Sequence, residues 1–520
     1  MEKGKSTAFL KGTLALSISV IITKVIGVGF KVPLSYILGD VGMGYFNTAY
    51  AIYGFFYILC TAGVPKAMTL ILRSHESTSD ENDSSFYVLK CALRLFFVIG
   101  AITTLINIIC APALAELVGN NKATLSILAI APSILFVSLS GVLRGYLNSY
   151  ERLTSIAVSQ MVEGLVKLFF GLLLAFVGAY KNMPISTISA LAITGITLGC
   201  AVSCLYMIFV VFSSKRRYIN KQNLNFKSKD IRLKILKIAL PIALCSSLLN
   251  LSSTLDLAII IKRLIRSGYS EIYANSLYGN YTTLAIPMFT LVIAVLSPLA
   301  TSYMPRLSSL SAKSNTKEFS SELRTLLTVT LLISVPASLA FYFYSFDLLD
   351  VLFSVQSSAL GADMLMCLSF GVCCLSVLTV INTALEARGR IGITVFSLLI
   401  GAFTKIAVSY LLIGNSNVGI LGAPIGTVIS YAVSLFVSLF ALELSGIKTN
   451  ALKVTLLTYL LGAVAFYLPY KLIYSTATAQ SSFVSMLVAA GISCLAYASG
   501  ALFIYLIHKY RMFNMHKKAL

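Results

Sequence analysis

Long apolar runs recur along almost the whole chain, and they constrain its fold more than any other feature. Fourteen runs of about 20 residues or more are separated by polar segments, and each is long enough to cross the hydrocarbon core of a bilayer as a helix. Lipid cannot satisfy open backbone N–H and C=O groups, so the runs are predicted to be helical. They cover residues 10–37, 46–71, 86–110, 125–143, 153–177, 188–212, 235–261, 278–303, 323–344, 364–385, 391–413, 420–442, 452–473 and 483–507.

The composition excludes an ordinary soluble protein. Hydrophobic residues make up 58% of the 520 residues and charged residues only 11%, whereas globular chains carry about 25% charged residues. We therefore predict an all-α integral membrane protein with 14 transmembrane helices. The first run is expected to be a retained span, because no small-residue cleavage site ends a short apolar segment. The ten cysteines lie in or beside apolar runs, which predicts small buried fillers rather than a disulfide framework.

The basic residues predict the topology. The formal net charge of +21 would suggest nucleic acid as a partner of a soluble domain, but in a membrane protein Lys and Arg mark cytoplasmic loops. With the N-terminus inside, the inside loops hold most of the basic residues, so both termini are predicted to be cytoplasmic and no nucleic-acid partner is expected. The outside loops then hold only Lys122, Lys181, Lys262, Arg263, Arg266 and Lys471.

Three sequence matches, in the same order and six spans apart, predict an internal repeat. The pattern Y-x-N-[S/T]-x-Y occurs at 45–50 and again at 273–278. The other two matches keep identical spacing in spans five and eleven and in spans six and twelve. They pair Arg152, Ser159 and Lys167 with Arg390, Ser397 and Lys405, and Gly195 and residues 201–203 with Gly426 and residues 432–434.

A repeat of six spans keeps its orientation in the membrane, so the two copies would be related by a pseudo-two-fold axis along the membrane normal. We predict an N-terminal six-helix bundle at 1–213, a basic cytoplasmic linker at 214–234 and a C-terminal six-helix bundle at 235–447. Residues 448–520 would hold two extra helices and a cytoplasmic tail. Two like bundles around a shared cavity are typical of alternating access; the other interpretation is an old gene duplication without consequence for transport.

Charged residues inside the predicted spans indicate a binding site, because each costs roughly 2.5–3.5 kcal/mol at the centre of a membrane helix. Basic residues outnumber acidic ones there, which predicts a cationic cavity for an anion such as a diphosphate. Lys24 and Lys31 are two turns apart and share a helix face. The candidate ligands of the anion are Lys24, Lys31, Lys167, Lys405 and Arg144, and the candidate charge partners or coupling residues are Glu163 and Asp256.

Several of these charges have a second interpretation. Lys31 could extend its ammonium to the membrane surface, and Glu163 is placed to pair with Lys167 one helical turn away. Asp256 could pair with Lys262 or Arg263. Arg144 is expected at the membrane interface, where either a substrate phosphate or a lipid headgroup would suit it.

The first span also contains residues that weaken helices. Gly27, Gly29 and Pro33 lie between and after its two lysines. They predict a bent or discontinuous helix that lines a cavity.

Short motifs in order along the chain carry a resemblance to a known family. They are FLKGT at 9–13, the segment 24–39 with its two spaced lysines, LRGY at 143–146, Ser159-Gln160 with Glu163, and GILGA at 419–423. With these the chain resembles the multidrug/oligosaccharidyl-lipid/polysaccharide exporter superfamily. The resemblance is to the branch of stage V sporulation protein B and polysaccharide-biosynthesis flippases, which is related to the MurJ-type lipid II flippases. It departs from those relatives in having lysines where they usually have arginines, at Lys24 and Lys31.

The resemblance implies a flippase of the bacterial cytoplasmic membrane. Its substrate would be an undecaprenyl-diphosphate-linked saccharide, such as lipid II or another cell-envelope glycolipid precursor, moved from the inner to the outer leaflet by alternating access. The lipid tail would occupy a groove at spans thirteen and fourteen. Membrane lipids and cell-envelope synthesis proteins are the further partners that it suggests, in growth or in sporulation.

Three other function classes remain open from the residues alone. A multidrug or toxin antiporter of the same fold would need buried carboxylates for its cations, whereas here the buried bases outnumber the acids. A membrane-bound transferase would need clustered carboxylates or a catalytic histidine, but His75, His508 and His516 all lie near polar segments. No metal-ligand or nucleophile arrangement is present, so we predict no enzyme activity, no cofactor and no metal. A scaffold that transports nothing is the remaining class.

Overall fold

The fold is entirely helical throughout the described part of the chain. The computed structural model describes residues 2–75, 81–150, 152–213, 228–313, 315–353, 355–415 and 417–447, with Tyr467, 491–493 and Tyr497, and these ranges contain no β-strand. The predicted thirteenth and fourteenth spans lie almost wholly outside the described residues.

Fifteen α-helices of the described ranges follow the apolar runs of the sequence. They are α1 (Glu2–Thr61), α2 (Val64–His75), α3 (Glu81–Val118), α4 (Thr124–Ile130), α5 (Ser133–Ser149), α6 (Leu153–Tyr180), α7 (Ile185–Ser213), α8 (Ser228–Arg266), α9 (Glu271–Asn280), α10 (Ile286–Ala312), α11 (Thr316–Phe343), α12 (Ser345–Asp350), α13 (Val355–Ala387), α14 (Ile391–Ile413) and α15 (Gly422–Leu444).

The membrane-protein class is confirmed. Within the described ranges, nine helical stretches are long and apolar enough to cross a membrane, or ten if a pair bent by 40° (Asn121–Ile130 with Ser133–Ser149) is one span. Each of the first twelve predicted runs coincides with helix, and the eleventh matches α14 at both ends. The count of fourteen stays a prediction.

Helix α1 holds the first predicted span and most of the second, and it is interrupted at Gly39. A straight helix of 60 residues would be about 90 Å long, three times the hydrocarbon core of a bilayer. Gly39 has φ 61° and ψ −178°, a conformation that residues with a Cβ rarely adopt. The interruption therefore lies after the expected position: the backbone keeps helical dihedral angles at Gly27, Gly29 and Pro33.

The chain forms two compact units, Met1–Thr283 and Leu284–Leu520. The first contains α1–α9, and an apolar core lies among α2, α3, α5, α6, α7 and α8, with Met68, Leu89 and Leu143 fully buried. The second is built around α13, whose apolar stretch is 67% buried, whereas that of α14 is only 17% buried. The broad exposed apolar face of α14 is the kind of surface that lipid covers.

The internal repeat predicted from sequence recurs as the same hydrogen bond in each unit. In the first, the hydroxyl of Ser203 on α7 donates to the backbone carbonyl of Ser159 on α6, at 3.1 Å. In the second, the hydroxyl of Ser434 on α15 donates to the carbonyl of Ser397 on α14, at 3.0 Å. Both bonds join residues that the repeat treats as equivalent.

The repeated glycines also occupy equivalent places. A Cβ at Gly195 would lie 3.0 Å from the carbonyl oxygen of Lys167, and one at Gly426 would lie 3.4 Å from that of Lys405. Each glycine thus lets one helix approach the backbone of its neighbour beside the repeated lysine. Small residues at helix contacts are the usual means of close packing in membranes.

Candidate functional site

Three of the predicted lysines lie in one region of the first unit. Lys24 and Lys31 are on the first half of α1, which packs against α6, where Lys167 is located. The ammonium of Lys31 interacts electrostatically with those of both Lys167 and Lys24. Lys24 is exposed, and the other two are partly buried. We refer to these three residues as the lysine cluster.

Lys31 is held by oxygens of the protein itself. Its ammonium donates to the backbone carbonyl of Thr282 at 2.9 Å and to Oδ1 of Asn47 at 3.4 Å. Thr282 lies in a π-helical turn, Tyr281–Ala285. In a π-helical turn, a backbone carbonyl accepts a hydrogen bond from the N–H group five residues later. For Thr282 that residue is Pro287, which has no N–H group. Lys31 supplies the donor that the proline lacks.

The two copies of the Y-x-N-[S/T]-x-Y pattern place their asparagines in one buried network. Asn47 donates to the hydroxyl of Thr283 at 2.7 Å. Asn275, its equivalent, donates to the carbonyl of Val41 at 2.7 Å and accepts from Asn120 at 2.7 Å. These hydrogen bonds between buried amides and their partners favour one arrangement of the helices that carry them.

The second half of α1 and helix α9 approach to backbone contact at this network. A Cβ at Gly44 would lie 2.4 Å from the carbonyl oxygen of Asn275, and one at Gly279 would lie 2.3 Å from that of Asp40. No residue with a side chain fits at either glycine without moving a backbone. The two helices are therefore in direct backbone contact beside the polar network.

Lys167 lies between two aromatic rings. Its ammonium is 5.2 Å from the ring centroid of Phe30 and 5.2 Å from that of Tyr50, both within the range of cation–π attraction. Phe30 is on the first half of α1 and Tyr50 on the second. The lysine thus contacts both halves of α1 from α6.

Glu163 forms its salt bridge with Arg144, 19 residues earlier, and not with the lysine one turn away. Nη2 of Arg144 on α5 donates to Oε2 of Glu163 on α6 at 2.8 Å, and the two side chains are only 17% and 29% exposed. A guanidinium forms a stronger directed bond with a carboxylate than a flexible ammonium does. The helical spacing that suggested a Glu163–Lys167 pair permits that contact but does not enforce it. Arg144, for which the sequence suggested a substrate phosphate or a lipid headgroup at the membrane interface, is paired with a carboxylate of the protein.

A row of aromatic rings extends from this region along α1. The centroids of Phe46 and Tyr50 are 6.3 Å apart, those of Tyr50 and Tyr53 6.0 Å, and those of Tyr53 and Tyr57 5.6 Å. We call these four residues the aromatic ladder. The sequence analysis missed it, although spacings of four, three and four residues place all four rings on one helix face.

The ladder contacts the charge pair through a cysteine. The hydroxyl of Tyr53 lies 3.7 Å from Sγ of Cys200, and that thiol donates to Oε1 of Glu163 at 3.9 Å. Each oxygen of Glu163 therefore has its own partner, Arg144 on one side and Cys200 on the other.

The two remaining predicted residues lie on helices other than α1 and α6. Asp256 is buried on α8 and interacts electrostatically with Tyr278. Lys405 is partly buried on α14 of the second unit. Among the residues that the structure describes, no group of three or more His, Cys, Asp or Glu side chains could hold a metal ion.

Comparison with known proteins identifies the family. A family model described as "Lipid II flippase MurJ" matches residues 34–493, most of the chain. The chain belongs to the MurJ family. This confirms the relationship that the sequence motifs indicated and makes the chain a member of a family of multi-pass membrane transporters.

Two curated relatives agree with this assignment. Stage V sporulation protein B of Bacillus subtilis is 24% identical over 428 residues, covering 81% of this chain and 80% of that protein. Lipid II flippase MurJ of the same organism is 22% identical over 454 residues, covering 83% and 81%.

The similar solved structures establish the fold alone. A structure of lipid II flippase MurJ in an inward closed conformation has a TM-score of 0.73 at 16% identity and covers 95% of this chain and all of that one. A MATE-family multidrug transporter in an inward-facing conformation has a TM-score of 0.68 at 13% identity, with coverage of 84% and 99%. Both the flippase and the drug transporter share this fold, so the substrate has to be argued from the site.

Proposed function

We propose that the protein is a flippase for a polyprenyl-diphosphate-linked saccharide, which it moves from the inner to the outer leaflet of the bacterial cytoplasmic membrane by alternating access, with both termini cytoplasmic. Family membership supports flippase activity in general. The anionic substrate is supported by the lysine cluster, in which Lys31 interacts electrostatically with both Lys24 and Lys167.

The charge balance of this region favours an anion. The carboxylate of Glu163 is engaged by Arg144, so the pair contributes little net charge. Lys24, Lys31 and Lys167 then leave the region cationic. Positive charges held together inside a membrane protein repel one another, and a diphosphate that binds among them replaces this repulsion with charge-assisted hydrogen bonds.

An antiporter of cationic drugs is the second candidate, because a MATE-family transporter shares the fold. Such a transporter needs a carboxylate that is free to bind the cation. In this unit the nearest carboxylate to Lys167 is already bonded to a guanidinium and a thiol. The site therefore suits an anionic headgroup better than a cationic drug.

Transport in proteoliposomes tests the proposal. The purified protein is reconstituted, and movement of an undecaprenyl-diphosphate-linked disaccharide is compared with movement of the cationic dye ethidium. We expect transport of the lipid and none of the dye. Lys167→Gln should lower lipid transport strongly, whereas Lys181→Gln, an exposed lysine at the C-terminal end of the same helix, should not. Transport of ethidium alone would overturn the proposal in favour of the antiporter.

A further inference from the structure

The aromatic ladder contains one ring that differs from its neighbours in exposure. Tyr50 retains 41% of its accessible surface, whereas Phe46 before it and Tyr53 after it retain 1% and 5%. Its ring lies between those of Phe46 and Tyr53 in the ladder, at centroid distances of 6.3 and 6.0 Å. A charged side chain in a membrane protein almost always faces the interior of the helix bundle or a water-filled cavity. The accessible surface of Tyr50 lies beside the ammonium of Lys167 and is assigned to such a space.

The accessible ring of Tyr50 lies directly beside the lysine cluster. Lys167 places its ammonium over the ring at 5.2 Å, and the ring of Phe46 stacks on it with an interplanar angle of 12°. The stacked neighbour fixes the orientation of Tyr50, which would otherwise rotate about two side-chain bonds. A rigid, electron-rich ring next to cationic groups is therefore preformed in this unit.

We infer that Tyr50 is a stacking platform for the saccharide of the lipid-linked substrate. This inference rests on the proposed function, because it assigns to the headgroup's sugar a place next to that of its diphosphate. Pyranose rings present one face of polarised C–H bonds, which pack on the negative face of an aromatic ring. The sugar is joined directly to the diphosphate, so a ring adjacent to the phosphate-binding lysines is where the sugar must lie.

Lys167 links the two parts of this site. Without substrate its ammonium rests on Tyr50 and Phe30, a weak cation–π contact. A diphosphate offers that ammonium stronger charge-assisted hydrogen bonds. When Lys167 moves to the phosphate, it uncovers the face of Tyr50 to which the sugar binds.

Two ligands separate the sugar contact from the phosphate contact. Binding of undecaprenyl diphosphate and of the same lipid carrying a disaccharide is measured for the purified full-length protein. Tyr50→Leu keeps an apolar side chain but removes the ring, and should weaken binding of the glycolipid by roughly 3- to 10-fold while leaving the sugar-free lipid unchanged. Tyr50→Phe keeps the ring and should bind both lipids as the wild type does.

A matched control and the thermal stability of each variant complete the test. Phe169 on α6 is a large exposed ring outside the ladder, 62% accessible, so Phe169→Leu should change neither affinity. Equal weakening of both lipids by Tyr50→Leu, or no effect on the glycolipid, would overturn the stacking platform and leave the proposed function standing. If the wild type binds neither lipid, the proposed function fails together with the inference.

Discussion

Removing the Arg144–Glu163 salt bridge should destabilise the first unit by a measurable coupling energy. The bond is 2.8 Å long between side chains that are 17% and 29% exposed. Fully buried pairs cost about 3–5 kcal/mol when one partner is removed, and exposed pairs contribute about 0.2–1 kcal/mol. For this partly buried pair we expect each single variant, Arg144→Gln or Glu163→Gln, to lose about 1.5–3 kcal/mol.

The double variant separates the interaction energy between Arg144 and Glu163 from the effect of each single substitution. Once Arg144 and Glu163 are both neutral, neither leaves an uncompensated charge, so the two losses should not add and the coupling energy should be about 1–2 kcal/mol. Unfolding in detergent micelles, followed by circular dichroism during titration with a denaturing detergent, measures each term. The pair Arg306–Glu322 is the control, because Arg306 is 62% exposed and its coupling should stay below about 1 kcal/mol. Additive losses at Arg144 and Glu163 would refute the assignment of this pair.

Two glycines in α1 give further predictions. Gly44→Ala should lower the free energy of unfolding by about 1–3 kcal/mol, because its Cβ would lie 2.4 Å from the carbonyl oxygen of Asn275. Gly54→Ala is the control, because a Cβ there has no heavy atom within 4 Å, and it should leave the stability unchanged. Equal melting temperatures for the two variants would contradict the close contact at Gly44. Gly39→Ala should cost roughly 1–2 kcal/mol because φ there is 61°, and an unchanged denaturation midpoint would show that the helix break lies elsewhere.

The helices could be predicted from the sequence because apolar length alone decides them. Residues 391–413 were predicted as a span and form α14 with the same ends. Interruptions were harder to place, since Pro33 is tolerated inside a helix and Gly39 carries the break. Proline removes one hydrogen bond but keeps a φ compatible with the helix, whereas the backbone of Gly39, with φ 61° and ψ −178°, leaves the helix.

The composition of the site was predictable, but the partners of its charges were not. The repeat and the cost of membrane charges singled out Lys31, Lys167 and Glu163. Their contacts depend on the fold: Lys31 bonds to a carbonyl 251 residues away, and Glu163 to a guanidinium on another helix. Helical spacing limits only the contacts within one helix. The aromatic ladder could also have been predicted from helical periodicity, because its four rings recur at spacings of four, three and four residues.

The affinity of the purified protein for undecaprenyl diphosphate, measured for Lys24→Glu and Lys24→Arg, tests the cationic site most directly. Lys24 is exposed and interacts with Lys31, so its charge can be reversed without creating a packing defect. We expect Lys24→Arg to bind the lipid and Lys24→Glu to bind it at least about 10-fold more weakly. Wild-type affinity in Lys24→Glu would contradict a lysine cluster that receives the diphosphate.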